Sequence, residues 1–339
     1  MKSKKLMAIL MALSVSVFTA GCGGSDSKPT NGGKPAATNS VTMIKLGHVN
    51  GVDSPNQIAA TKLNELLKTK LPKYQIEIHP SGQLGGERDM IESVQMGTLD
   101  MVITATTPLA NFVPSMNVGE LLYLIQNYAH ADKVYQGDIG KSWLNDCTKA
   151  GMKGLGYTEV GFRMLCTNKK PVNSIDDLKG MKLRVMENEM HVNGWRAMGC
   201  DAVTMSWPDA YAGVQQGTID AVEVPYTLII ANSVQDVCKY IAETSHIYTA
   251  QCMLMSNSAW NKMSPEDQKI FQECATEACK AGRDEARKQT DVCKQKCIDK
   301  GVKITQPDLA PFRARASELY KKYEQQYGPQ IKAIQSLAK

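Results

Sequence analysis

A nine-residue segment occurs twice in this chain. Residues 94–102 read VQMGTLDMV and residues 214–222 read VQQGTIDAV, with six of the nine positions identical. Each copy has the pattern of a helix that ends at a glycine cap and is followed by a strand. Capping accounts for part of the likeness, but it does not require the shared Gln, Thr and Asp. We therefore expect two domains of similar topology, the second beginning near Gly161.

Strand and helix patterns alternate around the first copy. Residues 43–49 and 74–79 alternate like strands, and residues 55–71 carry apolar side chains at helical spacing. A second helix is expected over 87–96, after a glycine-rich loop, and an almost wholly apolar strand over 99–103. This β-α-β-α-β order predicts the α/β fold class with an open sheet.

The stretch from Asn173 to Val224 contains the second copy and several polar side chains near strand ends and helix starts. Arg184 lies on a short alternating strand, a helix-like run begins at Trp207, and Glu223 lies near the end of a further strand. A cation, an aromatic ring and a carboxylate are thus delivered from strand ends and helix starts. Small anions are usually held in such places in α/β domains.

A long helix is expected in the last third of the chain. Ser264-Pro265-Glu266-Asp267 combines an N-cap, a first-turn proline and first-turn acids. The helical pattern continues to Lys300, which exceeds a typical globular helix, so we expect this helix to span both domains. Two further helices, over 309–327 and 329–337, are expected to pack around the second domain.

The first 21 residues have the pattern of a signal peptide. Three lysines precede an apolar run that is too short for a stable membrane span. Thr19-Ala20-Gly21-Cys22 is similar to a bacterial lipobox, although Thr19 stands where a large aliphatic residue is usual. We expect Cys22 to become the lipidated N-terminus, and the alternative is secretion with cleavage near Ala20. Residues 22–41 have the composition of a flexible tether.

The chain has ten cysteines, and nine remain if Cys22 is lipidated. An odd number leaves at least one thiol unpaired in a monomer. Most are interpreted as small buried residues in a protein kept reduced, with disulfides and a metal site as the alternatives. Cys293 and Cys297 are four apart on the long helix, as in some metal sites, but no histidine lies near them. No cofactor is expected.

The composition excludes some classes of function. Apolar residues make up 43% and charged residues 22%, as in ordinary soluble globular proteins. The net charge of +5 includes the three signal-peptide lysines, which leaves 5 − 3 = +2. No dense basic cluster with interleaved aromatics is present, so no nucleic-acid partner is expected. The sequence lacks a nucleophile elbow, a metal-spaced histidine pair and a phosphate loop, so the protein is not expected to be an enzyme.

Several motifs together resemble those of one family, in order and with matching spacing from about Ile44 onward. They are Gln83-Leu-Gly-Gly-Glu-Arg88, Gln95-x-Gly-Thr-Leu-Asp100, Gly161-x-Arg163, Lys179-Gly-Met-Lys-Leu-Arg-Val-Met-Glu187, Trp207, Gln215-Gln-Gly-Thr-Ile-Asp220 with Glu223, and Ser264-Pro-Glu-Asp267. The chain resembles a solute-binding protein of the tripartite ATP-independent periplasmic (TRAP) transporter family, dicarboxylate-binding type.

The resemblance implies a two-lobed clamp of the type II-like periplasmic binding protein fold. The ligand would lie between the lobes, and the long helix would bridge them. We expect the first lobe to comprise residues 42–160 and 250–289, and the second lobe residues 161–249 and 290–339.

The resemblance also implies a set of ligand-binding residues. Arg184 would form a bidentate salt bridge to a ligand carboxylate, since a planar guanidinium matches two oxygens. Arg163 falls on the family's second ligand-facing arginine, with a structural ion pair as the alternative. Glu187 would line the ligand, or else pair with an arginine of the protein, and Trp207 would pack on the ligand, or else belong to the core. Glu87 would contact the ligand from the first lobe, or else serve only as a helix N-terminal charge, and Glu223 would bind the ligand, or else only orient its neighbours. Asn50 and His48 are further candidates at the rim of the first lobe.

Two departures from the family bear on the choice of ligand. The family usually has Asn where this chain has Val224, followed here by Pro and Tyr. Ala105 and Pro108 stand where an acidic-sugar subset of the family has a Glu and an Arg, which argues against a sialic-acid-like ligand. His191 is expected to be a surface residue.

The predicted function is capture of a small carboxylate, either a sugar acid or a dicarboxylate. The protein would pass this ligand to the membrane subunits of a TRAP permease. Lipidated Cys22 would hold it on the membrane, in the periplasm or at the cell surface. The alternative is a ligand-sensing lipoprotein that reports to a membrane receptor.

Overall fold

The computed structural model describes residues 41–338. The elements of its first half are β1 (Thr42–Gly47), α1 (Pro55–Lys70), β2 (Tyr74–His79), α2 (Glu87–Met96), β3 (Met101–Ala105), α3 (Thr106–Leu109), α4 (Tyr128–Tyr135), α5 (Asp138–Lys149) and β4 (Met152–Thr167). The remaining elements are β5 (Lys182–Val185), α6 (Glu189–Ala197), β6 (Asp201–Thr204), α7 (Trp207–Gln215), β7 (Ala221–Pro225), α8 (Tyr226–Ala231), β8 (Tyr240–Ala242), β9 (Tyr248–Ser256), α9 (Asn257–Trp260), α10 (Pro265–Asp299), β10 (Lys303–Thr305), α11 (Ala310–Lys322) and α12 (Glu324–Ser336). Within 41–338, no helix is long and apolar enough to cross a membrane.

The two lobes are built on the same arrangement of three parallel strands. In the first lobe, β1 lies between β2 and β3, and in the second lobe, β5 lies between β6 and β7. The repeated segment supplies the end of α2 and the start of β3 in one lobe, and the end of α7 and the start of β7 in the other. The predicted α/β class and the internal duplication are therefore confirmed.

Strand β4 belongs to both sheets. Its residues 152–162 pair antiparallel with β9, and its residues 163–167 pair antiparallel with β7. The register shifts between Gly154 and Gly156 and again between Glu159 and Gly161, and the strand changes partner after Phe162. Strand β4 thus crosses from the first lobe to the second. The lobe boundaries themselves stay a prediction.

Helix α10 is 35 residues long and bridges the lobes. It begins as expected, with Ser264 Oγ accepting a hydrogen bond from Asp267 N at 3.1 Å. It packs on α1 and β4 and then on α8. Gly282 permits the close approach, because a Cβ there would lie 2.3 Å from Thr158 Oγ1 and 3.0 Å from Pro55 O.

The C-terminal helices are shared between the lobes. Helix α11 packs on α6 of the second lobe. Helix α12 instead contributes Ile331 and Ile334 to the apolar cluster that contains Trp143, and His130 Nε2 is hydrogen-bonded to Ile334 O at 2.8 Å. The expectation that both helices pack around the second lobe is wrong for α12, because its apolar stripe matches first-lobe residues.

The nine cysteines of the described residues are all buried and unpaired. Each of the four apolar clusters in residues 41–338 contains at least one of them. They are Cys147 and Cys252 in the first cluster, Cys274 and Cys279 in the second, Cys166, Cys238, Cys293 and Cys297 in the third, and Cys200 in the fourth. This agrees with the interpretation of most cysteines as core residues. Cys22 lies outside the described residues.

Candidate functional site

Two adjoining pockets lie between the lobes and share Glu87, Arg184, Met186 and Trp207. The inner pocket has a volume of about 20 Å³, and its other lining residues are Val49, Asn50, Ala105, Arg163, Val224, Leu228 and Gln251. The outer pocket has a volume of about 190 Å³, and its other lining residues are Gly86, Arg88, Asp89, Pro108, Glu187, Met205, Ser206 and Asp209. Arg184 therefore stands where the two pockets meet.

Arg184 has hydrogen-bonding capacity that the protein does not use. It lies near the end of β5, its side chain is buried, and its Nε donates to Met205 O at 2.8 Å. Its Nη1 is buried and has no hydrogen-bond partner among the described residues. Burial lowers the pKa of Arg184 to about 10, so the guanidinium remains charged at neutral pH. A buried cation with an unused donor is costly unless an anion arrives to pair with it.

Trp207 completes the surroundings of this cation. The Arg184 guanidinium carbon lies 5.5 Å from the centroid of the Trp207 ring, within the range of a cation–π interaction. Trp207 is the first residue of α7, with Ser206 as N-cap and Pro208 in the first turn. The helix start predicted from the sequence thus delivers the ring to the cation.

Arg163 is committed to Glu223. Its Nε donates to Glu223 Oε2 and its Nη2 to the Glu223 carbonyl oxygen, and both side chains are buried. His246 Nε2 lies 3.1 Å from the same carboxylate oxygen. Burial alone would raise the pKa of Glu223, but Arg163 and His246 outweigh it and lower the pKa to about 2. The ion pair considered as the alternative for Arg163 is therefore present, although Arg163 also lines the inner pocket.

Glu87 is the first residue of α2, so its carboxylate enters both pockets from the first lobe. Its Oε1 accepts from Ala105 N at 2.8 Å and from Thr104 Oγ1 at 3.2 Å. Burial raises the pKa of Glu87, against the opposing effects of the Ala105 amide and Arg184. Both protein hydrogen bonds go to Oε1, which leaves Oε2 available to a ligand.

The remaining sequence candidates divide into two groups. Asn50 lines the inner pocket and Glu187 lines the outer pocket. Glu223 and His48 line neither pocket. His48 is fully buried, its Nε2 lies 3.0 Å from Gln57 Oε1 on α1, and burial lowers its pKa to about 4. The structure does not bring His48 to the site.

Two buried polar residues were missed or misjudged from the sequence. Gln251 lines the inner pocket from β9, and its Oε1 accepts from Asn56 Nδ2 at 3.0 Å. A lone amide in the buried strand YTAQCMLMS was the available signal. His191 is fully buried rather than on the surface, with its Nε2 3.1 Å from Glu120 Oε2, because α6 turns that face toward the first lobe.

A larger cavity of about 430 Å³ lies beside α10 and is lined from both lobes, including Asp53, Glu285 and Lys296. Its charged residues are exposed or half-exposed. It has no counterpart to the buried, unpaired nitrogen of Arg184. Among the described residues no cluster of His, Cys, Asp and Glu could hold a metal ion. We therefore place the candidate site at Arg184.

The chain is similar to known proteins over most of its length. The sequence model described as bacterial extracellular solute-binding protein, family 7, matches residues 46–326. The chain belongs to this family. A solute-binding protein of Verminephrobacter eiseniae is 30% identical over 274 residues, which are 79% of this chain and 80% of the relative. Family 7 consists of binding proteins, so this member is not an enzyme.

Solved structures of TRAP periplasmic solute-binding proteins show the same fold. A TRAP periplasmic solute-binding protein of a Polaromonas species, bound to D-erythronate, matches with TM-score 0.85 and 33% identity, over 87% of this chain and 98% of that chain. A TRAP periplasmic solute-binding protein of Citrobacter koseri, with bound D-glucuronate, matches with TM-score 0.83 and 30% identity, over 87% and 99%. The two-lobed fold with a bridging helix is confirmed, and this family 7 member is a TRAP solute-binding protein.

Proposed function

We propose that the protein captures a small organic acid outside the cytoplasm, with Arg184 holding its carboxylate, and delivers it to a TRAP-type membrane permease. The observation that carries the proposal is the buried Arg184 Nη1 with no partner among the described residues. A planar carboxylate would satisfy that nitrogen and neutralise the charge in one contact. Arg184 lines both pockets, so a ligand between the lobes has access to its guanidinium.

The other candidates take supporting parts in this proposal. Trp207 packs on the bound carboxylate, Asn50 contacts it from the first lobe, and Glu87 contacts the rest of the ligand. Arg163 adds positive potential and shape to the inner pocket while Glu223 holds its guanidinium in place. Glu187 contacts the part of the ligand that extends into the outer pocket. His48 acts indirectly, by fixing the start of α1 through Gln57.

The proposed ligand class rests on the carboxylate that Arg184 requires and on the acids bound in two solved relatives. Two solved relatives contain D-erythronate and D-glucuronate, which are both sugar acids. The Arg184 site fits a sugar acid or a dicarboxylate, since both present the carboxylate that Arg184 requires.

Attachment to the membrane is a further part of the proposal. Cys22, in Thr19-Ala20-Gly21-Cys22, becomes lipidated, and residues 22–41 tether the two lobes to the membrane surface. Metabolic labelling with a palmitate analogue tests this, since Cys22→Ser abolishes incorporation. Labelling that persists in Cys22→Ser contradicts the anchor without affecting the ligand site.

A thermal-shift screen over small organic acids tests the central proposal. A ligand present at 100 times its dissociation constant adds about 2.7 kcal/mol to the free energy of unfolding. At least one acid is expected to raise the melting temperature of the wild type and not that of Arg184→Ala. A folded protein whose melting temperature no acid changes would rule the proposal out.

A further inference from the structure

We infer that the ligand carries a single carboxylate and that the rest of it, in the outer pocket, is an uncharged hydroxylated chain bound by Glu87 and Glu187. This inference rests on the proposed function and selects one ligand class within it. It excludes dicarboxylates of the same length.

The charges around the outer pocket are unbalanced. Four carboxylates line it, from Glu87, Asp89, Glu187 and Asp209, against two guanidiniums, from Arg88 and Arg184. Arg184 is taken by the first carboxylate of the ligand. A second carboxylate would therefore sit among four like charges with only Arg88 to offset them, and like-charge juxtaposition opposes binding.

Arg88 is poorly placed to offset that repulsion. Its Nε donates to Glu92 Oε1 at 2.9 Å, and its guanidinium carbon lies 5.6 Å from the centroid of the Phe112 ring. Both partners hold the side chain along the outer surface of α2. Recruiting Arg88 to a second carboxylate would break these contacts.

The four acidic side chains differ in which of their carboxylate oxygens remain free to accept a hydrogen bond from the ligand. Asp89 Oδ2 accepts from Gly86 N at 2.9 Å, and Asp209 Oδ2 accepts from Ser206 Oγ at 2.5 Å, so both are tied to helix starts. Glu187 makes no side-chain hydrogen bond or ion pair with another described residue, and Glu87 keeps Oε2 free. These two carboxylates can accept hydrogen bonds from ligand hydroxyls, which are donors.

A cationic tail is the other chemistry that an acidic pocket suits. Glu87, Asp89 and Asp209 each already accept a hydrogen bond from the protein, so few oxygens remain to surround an ammonium group, which donates three hydrogen bonds. Arg88 also lines the same pocket and repels a cation. A hydroxyl needs only the acceptor oxygens and meets neither obstacle.

Calorimetry at pH about 7 with three four-carbon probes tests the inference: D-erythronate, succinate and 4-aminobutanoate. They share the first carboxylate and chain length and differ in hydroxyl groups, a second carboxylate or an amine. D-Erythronate is expected to bind to the wild type about tenfold or more tightly than either of the others. Succinate or 4-aminobutanoate binding as tightly as D-erythronate would overturn the inference.

The variant Glu187→Gln removes one charge and keeps the side-chain size. It is expected to narrow the preference for D-erythronate over succinate by about threefold to tenfold, because repulsion of the second carboxylate falls. The control Glu189→Gln, two residues away on the exposed face of α6, should leave the ratio unchanged. An unchanged ratio in Glu187→Gln contradicts the role of Glu187.

The proposed function and this inference fail differently. If Arg184→Ala abolishes binding of D-erythronate and succinate while the wild type binds both equally, the function stands and the inference fails. If none of the three probes binds to the folded wild type, the inference fails, and the organic-acid screen decides whether the proposed function fails with it.

Discussion

Arg184 occupies in the second lobe the strand position that Gly47 occupies in the first. Gly47 pairs with Val102 on β3, and Arg184 pairs with Val222 on β7. Val102 and Val222 are the last residues of the two copies of the repeated segment. The lobes thus share a frame, and only one of them places a cation at this point. In the first lobe a side chain at this position would crowd the core, because a Cβ on Gly47 would lie 2.6 Å from Met90 Sδ and 3.2 Å from Leu84 Cδ1.

Replacing Arg184 by Ala is expected to weaken ligand binding by about 2–5 kcal/mol, because the ligand carboxylate then stays buried without its partner. Isothermal titration calorimetry with an acid found in the screen measures the change. The control Arg315→Ala removes an exposed arginine on α11 and should leave the dissociation constant unchanged. Equal affinities of Arg184→Ala and the wild type would refute the assignment.

Replacing Gly282 by Ala is expected to reduce the free energy of unfolding by about 1–3 kcal/mol through overpacking. The added Cβ would meet Thr158 Oγ1 at 2.3 Å and the backbone oxygen of Pro55 at 3.0 Å. Urea unfolding measures the change. The control Gly328→Ala, in α12, meets only Glu324 Cγ at 3.2 Å and should be neutral or slightly stabilising. Equal stability of the two variants would contradict close packing between α10 and the first lobe.

Glu223 is expected to make the protein sensitive to acid. Its pKa in the fold is about 2, below the usual carboxyl value of 4.5. The ionised carboxylate therefore contributes stability that is fully present above pH 4.5 and is lost as the pH falls toward 2. At neutral pH, Glu223→Gln should lose about 3–5 kcal/mol, because Arg163 is left buried and unpaired.

Urea unfolding between about pH 6 and pH 2.5 follows this effect. The stability difference between the wild type and Glu223→Gln should shrink as the pH falls. If the free energies of unfolding of the wild type and Glu223→Gln change in parallel over this pH range, Glu223 does not titrate with a lowered pKa.

His48 is expected to add a second pH dependence at milder acidity. Burial lowers its pKa from 6.5 to about 4, so between these values the unfolded chain binds a proton that the folded chain does not. Stability should fall as the pH falls from 6.5 to 4 and should level off, for this residue, below 4. The contribution is on the order of 1–3 kcal/mol.

The variant His48→Gln tests this second effect by denaturant unfolding. Its stability should change less than that of the wild type across the same pH range. An unaltered slope in His48→Gln would assign the pH dependence to other groups.

Local signals identified much of the fold and part of the site. The start of α7 at Trp207 and the start of α10 at Ser264 follow from caps and first-turn prolines, which act within a few residues. Arg184 was found because its strand and its motif lie in one short stretch. These features depend on neighbours in sequence, which a sequence displays directly.

Contacts between distant segments were harder to predict. The partner of His191 is Glu120, and the partner of Gln251 is Asn56, 195 positions away. No periodicity or spacing encodes such pairs, because they arise when separate elements pack. The same reason explains why α12 was assigned to the wrong lobe, since an amphipathic stripe does not specify which apolar surface it covers.

The nine buried thiols can report local opening of the protein. Because each apolar cluster contains at least one cysteine, a thiol-reactive reagent can modify a given cluster only when that part of the molecule opens. Labelling rates read cysteine by cysteine, by mass spectrometry, would therefore rank the four clusters by their opening free energies. A ligand that holds the lobes together would slow labelling most in the clusters nearest the site. Occupancy of the ligand site could therefore be followed without any introduced probe.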